Sequence, residues 1–251
     1  MNNNLHRTFG IIGRPLGHSF SADYFNRKFH DEGIDACYLK FELPDIGDLM
    51  ELFAEHDDIA GLNVTIPYKQ AVIPYMDEMD ADAARIGAVN VIKVTGQGAD
   101  MRLKGYNSDI IGFVDSIRPL LTPRRNRALV LGTGGASKAV RQGLLNLGVQ
   151  PVMVSRMARE GVITYDEITP ELMASHLVIV NTTPLGMSPN VDTCAPVPYD
   201  CLTPDHLCYD VVYNPSETLF LRKSAEHGAE VKNGMEMLLG QAVAAWNIWN
   251  A

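Results

Sequence analysis

Short apolar runs bounded by polar turns open the chain. Residues 9–13 read as a buried strand, and the turn at 15–17 leads past Ser19 and Ser21 into a helix around 22–32. Two further strands follow at 37–41 and 61–66, with a helical stretch near 45–55 between them, which is a strand-helix alternation. A helix is expected at 81–86, then a strand at 89–94, a turn at Gly96-Gln97-Gly98 and a returning strand. In 106–121 the apolar residues Ile110, Ile111, Phe113, Val114, Ile117 and Leu121 recur at helical spacing, which predicts a long amphipathic helix closed by Pro119, Pro123 and a basic stretch. Beyond it the pattern changes to aliphatic runs at 128–131, 151–154 and 177–181, the mark of strands buried on both faces in a parallel sheet. Strands are also expected at 207–212 and 229–232, before a final apolar helix over 235–249.

Composition narrows the class. With 251 residues, 46% hydrophobic and 20% charged, the chain can bury the cores of two modest domains without covalent staples. A net charge of −9 argues against broad nucleic-acid binding or attachment to an anionic membrane, so an anionic ligand has to be held locally. No window has membrane-spanning length, and the polar start Met1-Asn2-Asn3-Asn4 lacks the apolar stretch of a signal peptide, so the cytoplasm is the expected compartment. Cys37, Cys194, Cys201 and Cys208 have no zinc-site spacing; they are expected as reduced thiols, and no metal is expected.

The first chemical signal lies where 129–140 reads Leu-Val-Leu-Gly-Thr-Gly-Gly-Ala-Ser-Lys-Ala-Val, a strand, a glycine turn and a helix start. This is the order of a dinucleotide-binding Rossmann unit: Gly132 permits the tight turn, Gly134 lets the backbone approach a pyrophosphate, and Ser137 stands as a small residue where helix packs on strand. The amides of the helix start, at Gly135 and Ala136, then face phosphate oxygens. The second strand ends at Ser155-Arg156, where an NAD enzyme would offer a carboxylate to the ribose 2′-hydroxyl. An arginine there can pair with a 2′-phosphate, which favours NADP, with Ser155 as a candidate hydrogen-bond partner.

Three upstream segments are polar where strands should end: Gly17-His18-Ser19-Phe20-Ser21, Asn63-Val64-Thr65-Ile66-Pro67-Tyr68-Lys69 and Gly105-Tyr106-Asn107-Ser108-Asp109. Taken with Gly87-Ala88-Val89-Asn90, Asn181-Thr182-Thr183-Pro184-Leu185-Gly186-Met187, Asp210-Val211-Val212-Tyr213-Asn214-Pro215 and the terminal 233–249 segment, the chain resembles the shikimate dehydrogenase family over nearly its whole length. The resemblance implies a substrate site made by Ser19, Ser21, Asn63, Thr65, Lys69, Asn90 and Asp109, joined by Tyr213 and Gln241. It also implies nicotinamide contacts at Gly234 and Met235. Two departures from the family pattern stand out. Ala22 replaces a proline at a helix start, and Ser155-Arg156-Met157 lacks a threonine that would help hold a 2′-phosphate.

The resemblance further implies an α/β fold of two domains, a substrate domain of residues 1–107 plus 231–251 and a doubly wound NADP-binding domain of 108–230, with the C-terminal helix returning to the first and the active site in the cleft between them. The implied reaction is reversible NADPH-dependent reduction of 3-dehydroshikimate to shikimate, a step of aromatic amino acid biosynthesis. Lys69 and Asp109 would form the catalytic pair. Lys69 is the first choice for the proton carrier, although the coupled ionisation of such a pair leaves the individual roles open. A quinate/shikimate dehydrogenase using NAD and a non-catalytic nucleotide- and metabolite-binding sensor are the rival readings. The expected partner is a small molecule only, with monomer and homodimer both open.

Overall fold

Two six-stranded sheets, each packed with apolar side chains on both faces, organise the described residues. The structure is a computed structural model and describes residues 6–17 and 20–251. Within these the chain divides into two compact units, 1–108 with 242–251, and 109–241.

The first unit runs β1 (Arg7–Gly13), α1 (Phe20–Glu32), β2 (Ala36–Glu42), α2 (Leu49–Glu55), β3 (Ile59–Val64), α3 (Tyr68–Ala71), β4 (Glu78–Met79), α4 (Ala81–Ile86), β5 (Val91–Thr95) and β6 (Arg102–Tyr106). Its six-stranded sheet has the order β2-β1-β3-β5-β6-β4, with β1 parallel to β2 and β3, and β5 antiparallel to β3 and β6. Side chains alternate across the sheet with period two. Phe9, Ile11 and Val91 join Phe25 and Phe29 of α1 on one face, while Ile12, Leu62 and Ile92 join Leu52 and Phe53 of α2 on the other. Trp249 completes the first face, packed against Phe9 at 4.8 Å between ring centroids and donating its indole N–H to the Ile92 carbonyl at 3.0 Å.

The second unit runs α5 (Asp109–Ile117), β7 (Arg127–Leu131), α6 (Gly135–Asn146), β8 (Gln150–Ser155), β9 (Val162–Thr164), α7 (Pro170–Ser175), β10 (Val178–Asn181), β11 (Leu207–Asp210), α8 (Leu219–Glu226), β12 (Glu230–Lys232) and α9 (Met235–Asn250), the last turns of which belong to the first unit. All pairings in its sheet are parallel, in the order β12-β11-β10-β7-β8-β9. Numbered within the unit and read from β9, that is the doubly wound order 3-2-1-4-5-6, with its switch point between β7 and β10. Ala128, Val130, Val178 and Val180 pack with Phe113, Ile117 and Leu144 on one side, and Leu129, Leu131 and Ile179 with Met173 and Phe220 on the other. Burial on both faces explains the uninterrupted aliphatic runs.

Two expectations differ from the structure. The helix expected over 106–121 is confined to Asp109–Ile117, followed by a short 3-10 turn, Arg118–Leu120. Tyr106 is still strand, paired with Val91, and Pro119 cannot donate the hydrogen bond that would continue the helix. The boundary expected before residue 231 falls instead inside α9, after Gln241. The start of α9 is fixed in the second unit because a Cβ on Gly112 would strike the Met237 carbonyl, so only glycine admits α5 this close. Among the described residues no helix is long and apolar enough to cross a membrane.

Candidate active site

Residues of the first unit meet at the end of β3 through sheet register. Asn63 pairs with Val91 across the β3–β5 ladder, and Val64 donates its N–H to the Asn90 carbonyl at 2.8 Å. The following loop is tied down as well: the Thr65 N–H donates to the Ile12 carbonyl at 2.9 Å, and the Lys69 carbonyl accepts from the Val89 N–H at 2.7 Å. Asn63, Thr65, Lys69 and Asn90 are thereby gathered at one end of the sheet, the asparagines buried and Thr65 and Lys69 half-buried.

A hydrogen-bonded chain runs beneath them. The Tyr38 hydroxyl donates to Asn63 Oδ1 at 2.7 Å, and buried Ser21 of α1 lies near enough to act on the same phenol. Asn63 Nδ2 reaches the Asn90 carbonyl at 3.4 Å, Asn90 Nδ2 donates to Ser108 Oγ at 3.0 Å, and the Ser108 N–H donates to Asn90 Oδ1 at 2.6 Å. Asn107 Nδ2 donates to the Ala88 carbonyl at 2.9 Å. Burial drives the Tyr38 phenol well above its ordinary range, against the opposing Ser21 hydrogen bond, so it stays a neutral donor. Nothing in the sequence assigned a role to Tyr38, and Ser108 stood there only as a member of the Gly105–Asp109 segment; a tyrosine inside a strand carries no signal beyond β preference. Ser19, like His18, lies outside the described residues.

Asp109, Tyr213 and Gln241 belong to the second unit. Asp109 is buried as the first residue of α5, Tyr213 is half-buried in the loop after β11 with its phenol pushed up by burial, and Gln241 Nε2 donates to the Leu238 carbonyl at 3.0 Å.

The glycine turn sits beside the switch point. Gly132 has φ +108°, and a Cβ there would lie 2.8 Å from Thr182 Oγ1, so the turn requires glycine twice over. Gly134 precedes α6 with extended dihedrals and no side chain caps the helix, so the first-turn amides at Gly135 and Ala136 have no capping side chain. A Cβ on Gly134 would meet nothing within 4 Å, so the turn is open at the residue that precedes these amides. That arrangement fits a pyrophosphate. Ser137 is buried and donates to the Gly134 carbonyl at 2.6 Å, which makes it a packing residue. Ser155 ends β8 half-buried, and exposed Arg156 follows, near enough to Tyr165 to oppose the rise that burial causes in that phenol. Gly234 is buried, and a Cβ there would strike the Val211 carbonyl; Met235 donates its N–H to Asn233 Oδ1 at 3.2 Å at the start of α9.

One charged group in this unit has a part that the sequence did not assign. Asp210, at the end of β11, is fully buried; its Oδ1 accepts from Asn181 Nδ2 at 2.9 Å and from the Val212 N–H at 3.0 Å, and its Oδ2 accepts from Thr218 Oγ1 at 2.6 Å. Burial raises its carboxyl to about 6, opposed by those three hydrogen bonds. An aspartate ending an aliphatic run looks like a turn residue in sequence, so although Asp210 opens the Asp210–Pro215 segment, nothing there gave it a role. No cluster of metal-ligating side chains occurs among the described residues.

Known proteins resemble this chain along its length. The model of the shikimate dehydrogenase substrate binding domain matches residues 11–92. The shikimate dehydrogenase (NADP(+)) of Clostridium beijerinckii is 39% identical over 254 residues, spanning 96% of this chain and 91% of the relative. The crystal structure of shikimate 5-dehydrogenase from Thermus thermophilus in complex with NADP(H) and shikimate aligns with a TM-score of 0.83 at 28% identity, over 97% of this chain and 93% of that one. Quinate dehydrogenase from Corynebacterium glutamicum in complex with NAD aligns with a TM-score of 0.85 at 28% identity, again over 97% and 93%.

Proposed function

This chain belongs to the shikimate dehydrogenase family, and from that premise we propose that it catalyses the reversible NADPH-dependent reduction of 3-dehydroshikimate to shikimate in aromatic amino acid biosynthesis. The observation that carries the reading is the coexistence in one chain of a buried amide and hydroxyl cluster, built on Ser21, Asn63 and Asn90, with an uncapped glycine turn in a doubly wound sheet. A small carboxylated polyol needs many oriented hydrogen bonds, and a site rich in amides and hydroxyls rejects analogues that leave one of them unpaired.

The residues divide the work. Gly132, Gly134, Gly135 and Ala136 would hold the pyrophosphate and Ser155 and Arg156 the adenosine end, while Gly234 and Met235 would border the nicotinamide. Bound NADPH supplies the hydride that reduces the ring carbonyl. Ser19 and Ser21 take the substrate carboxylate; Asn63, Thr65, Asn90, Tyr213 and Gln241 orient the ring hydroxyls. Lys69 donates a proton to the carbonyl oxygen during reduction and takes it back in oxidation, with Asp109 orienting its ammonium.

Turnover of shikimate and of quinate, each with NADP+ and with NAD+, tests the assignment. Shikimate oxidation with NADP+ should be fastest. The quinate dehydrogenase likeness keeps a second reading alive, and faster quinate oxidation with NAD+ would establish it in place of ours. Binding of both ligands without NADPH formation would point to a sensor. Lys69→Ala is expected to lower kcat by about 10²–10⁴-fold while shikimate binding, measured by titration calorimetry, stays largely intact.

A further inference from the structure

Three segments at the carboxyl ends of β10 and β11 are bonded, directly or through one side chain, to a single buried carboxylate. Asp210 holds the Val212 N–H itself, holds Thr218 at the start of α8, and holds Asn181, whose Oδ1 in turn accepts the Thr183 N–H at 3.1 Å and the Thr183 hydroxyl at 2.7 Å. The backbone of residues 211–213 is fixed from other sides too: the Val211 N–H donates to the Asn181 carbonyl at 3.0 Å, and the Val212 carbonyl accepts from the Gly234 N–H at 3.1 Å. Gly234 lies so close beneath that a Cβ would strike the Val211 carbonyl. Tyr213 is the next side chain out of this clamp.

We propose that Asp210 is a positioning residue for the reaction, its carboxylate fixing the loop from which Tyr213 reaches the substrate. The inference rests on the reading of Tyr213 as a substrate contact. A carboxylate suits the position because it accepts at both oxygens: Oδ1 takes two N–H donors and Oδ2 the Thr218 hydroxyl. An amide cannot do this. In Asp210→Asn the new side chain would present an NH2 to Thr218 Oγ1, which already accepts from the Leu221 N–H at 3.3 Å, and the Thr218 hydroxyl would lose its acceptor.

Protonation has the same consequence, since a proton on Oδ2 turns it from acceptor to donor toward Thr218. With the carboxyl raised to about 6, this change falls within the range of an ordinary assay. The titratable groups near Asp210 are the phenols of Tyr199, in the short turn before β11, and Tyr209 in β11; burial, with a smaller push from the Asp210 carboxylate, holds both far above their ordinary range and hence neutral. β10 contributes Asn181 and α8 contributes Thr218, neither of which titrates.

The test compares the full-length protein with Asp210→Asn, Thr218→Val and Thr218→Ser, measuring kcat and KM for shikimate at saturating NADP+ between pH 5 and pH 8. Wild type should show a KM that rises about tenfold as pH falls through the Asp210 range, whereas Asp210→Asn should start about tenfold high at pH 8 and stay flat. Thr218→Val should raise KM and Thr218→Ser restore it, with kcat moving less than about threefold throughout. If Asp210→Asn does not fold, the valine and serine pair decides alone. Variants that keep the wild-type KM and its pH profile, whatever their melting temperatures, would reduce Asp210 to a structural residue and leave the dehydrogenase reading standing. A wild type without shikimate turnover would remove both.

Discussion

At the scale of single residues, dinucleotide choice turns on Arg156. Its guanidinium is exposed at the end of β8, where a 2′-phosphate would need a charge-assisted partner and a bare 2′-hydroxyl would not. Arg156→Gln should therefore raise KM for NADP+ by about 10–100-fold and leave KM for NAD+ within about twofold. Steady-state kinetics with both dinucleotides reads this directly; an equal loss for each would assign Arg156 to general electrostatics. The same scale shows why much of the site was hidden in the sequence. Lys69 and Asp109, met alone, look like a surface cation and a helix-start acid, and only the family pattern singles them out. What Tyr38, Ser108 and Asp210 do is set by the bonds they make across 18 to 29 residues of chain, information that no local window contains.

Elements show the opposite balance. The glycine turn was legible because its physics is local, and its two key glycines separate by mechanism. Gly132 has a positive φ and a crowded Cβ position, so Gly132→Ala should destabilise the protein by about 1–3 kcal/mol. Gly134 has extended dihedrals and open space, so Gly134→Ala should leave the denaturant midpoint unchanged while its methyl occupies the open turn before α6 and weakens NADP+ binding by about tenfold or more. Equal stability losses in the two variants would contradict this separation. The central strands β7, β10 and β11 were equally plain, since burial on both faces writes continuous aliphatic runs, whereas the three-residue, half-buried edge strand β9 left no such run and was not predicted. α3, of four residues, and β4, of two, are too short to set up any periodicity. The end of β6 was misread because Tyr106 continues the apolar spacing of α5, whereas its pairing with Val91 lies elsewhere in the chain.

For the molecule as a whole, Asp210 couples a local arrangement to folding stability through pH. Its carboxyl has an ordinary value of 3.8 and is raised to about 6 by burial in the native state, so the native protein holds this proton more tightly than the unfolded chain does. The associated stability is fully present below about pH 4 and is lost as pH rises through 6, a change of roughly 3 kcal/mol. Asp210→Asn carries no such proton. The difference in unfolding free energy between Asp210→Asn and wild type should therefore shift in favour of the variant by roughly 3 kcal/mol between pH 4 and pH 7. Other titrating groups cancel in that difference, among them His176, whose imidazole burial pulls down in value and whose own effect runs the other way, lowering stability as pH falls. The altered hydrogen bond to Thr218 adds an offset that does not vary with pH. Urea unfolding of both proteins across this range gives the measurement, and a difference that stays constant with pH would mean that the native carboxyl titrates at its ordinary value. A wild type that loses ground to the variant as pH rises would mean that at neutral pH the protein keeps an ionised group that lowers its stability, as expected of a residue retained to hold the Tyr213 loop.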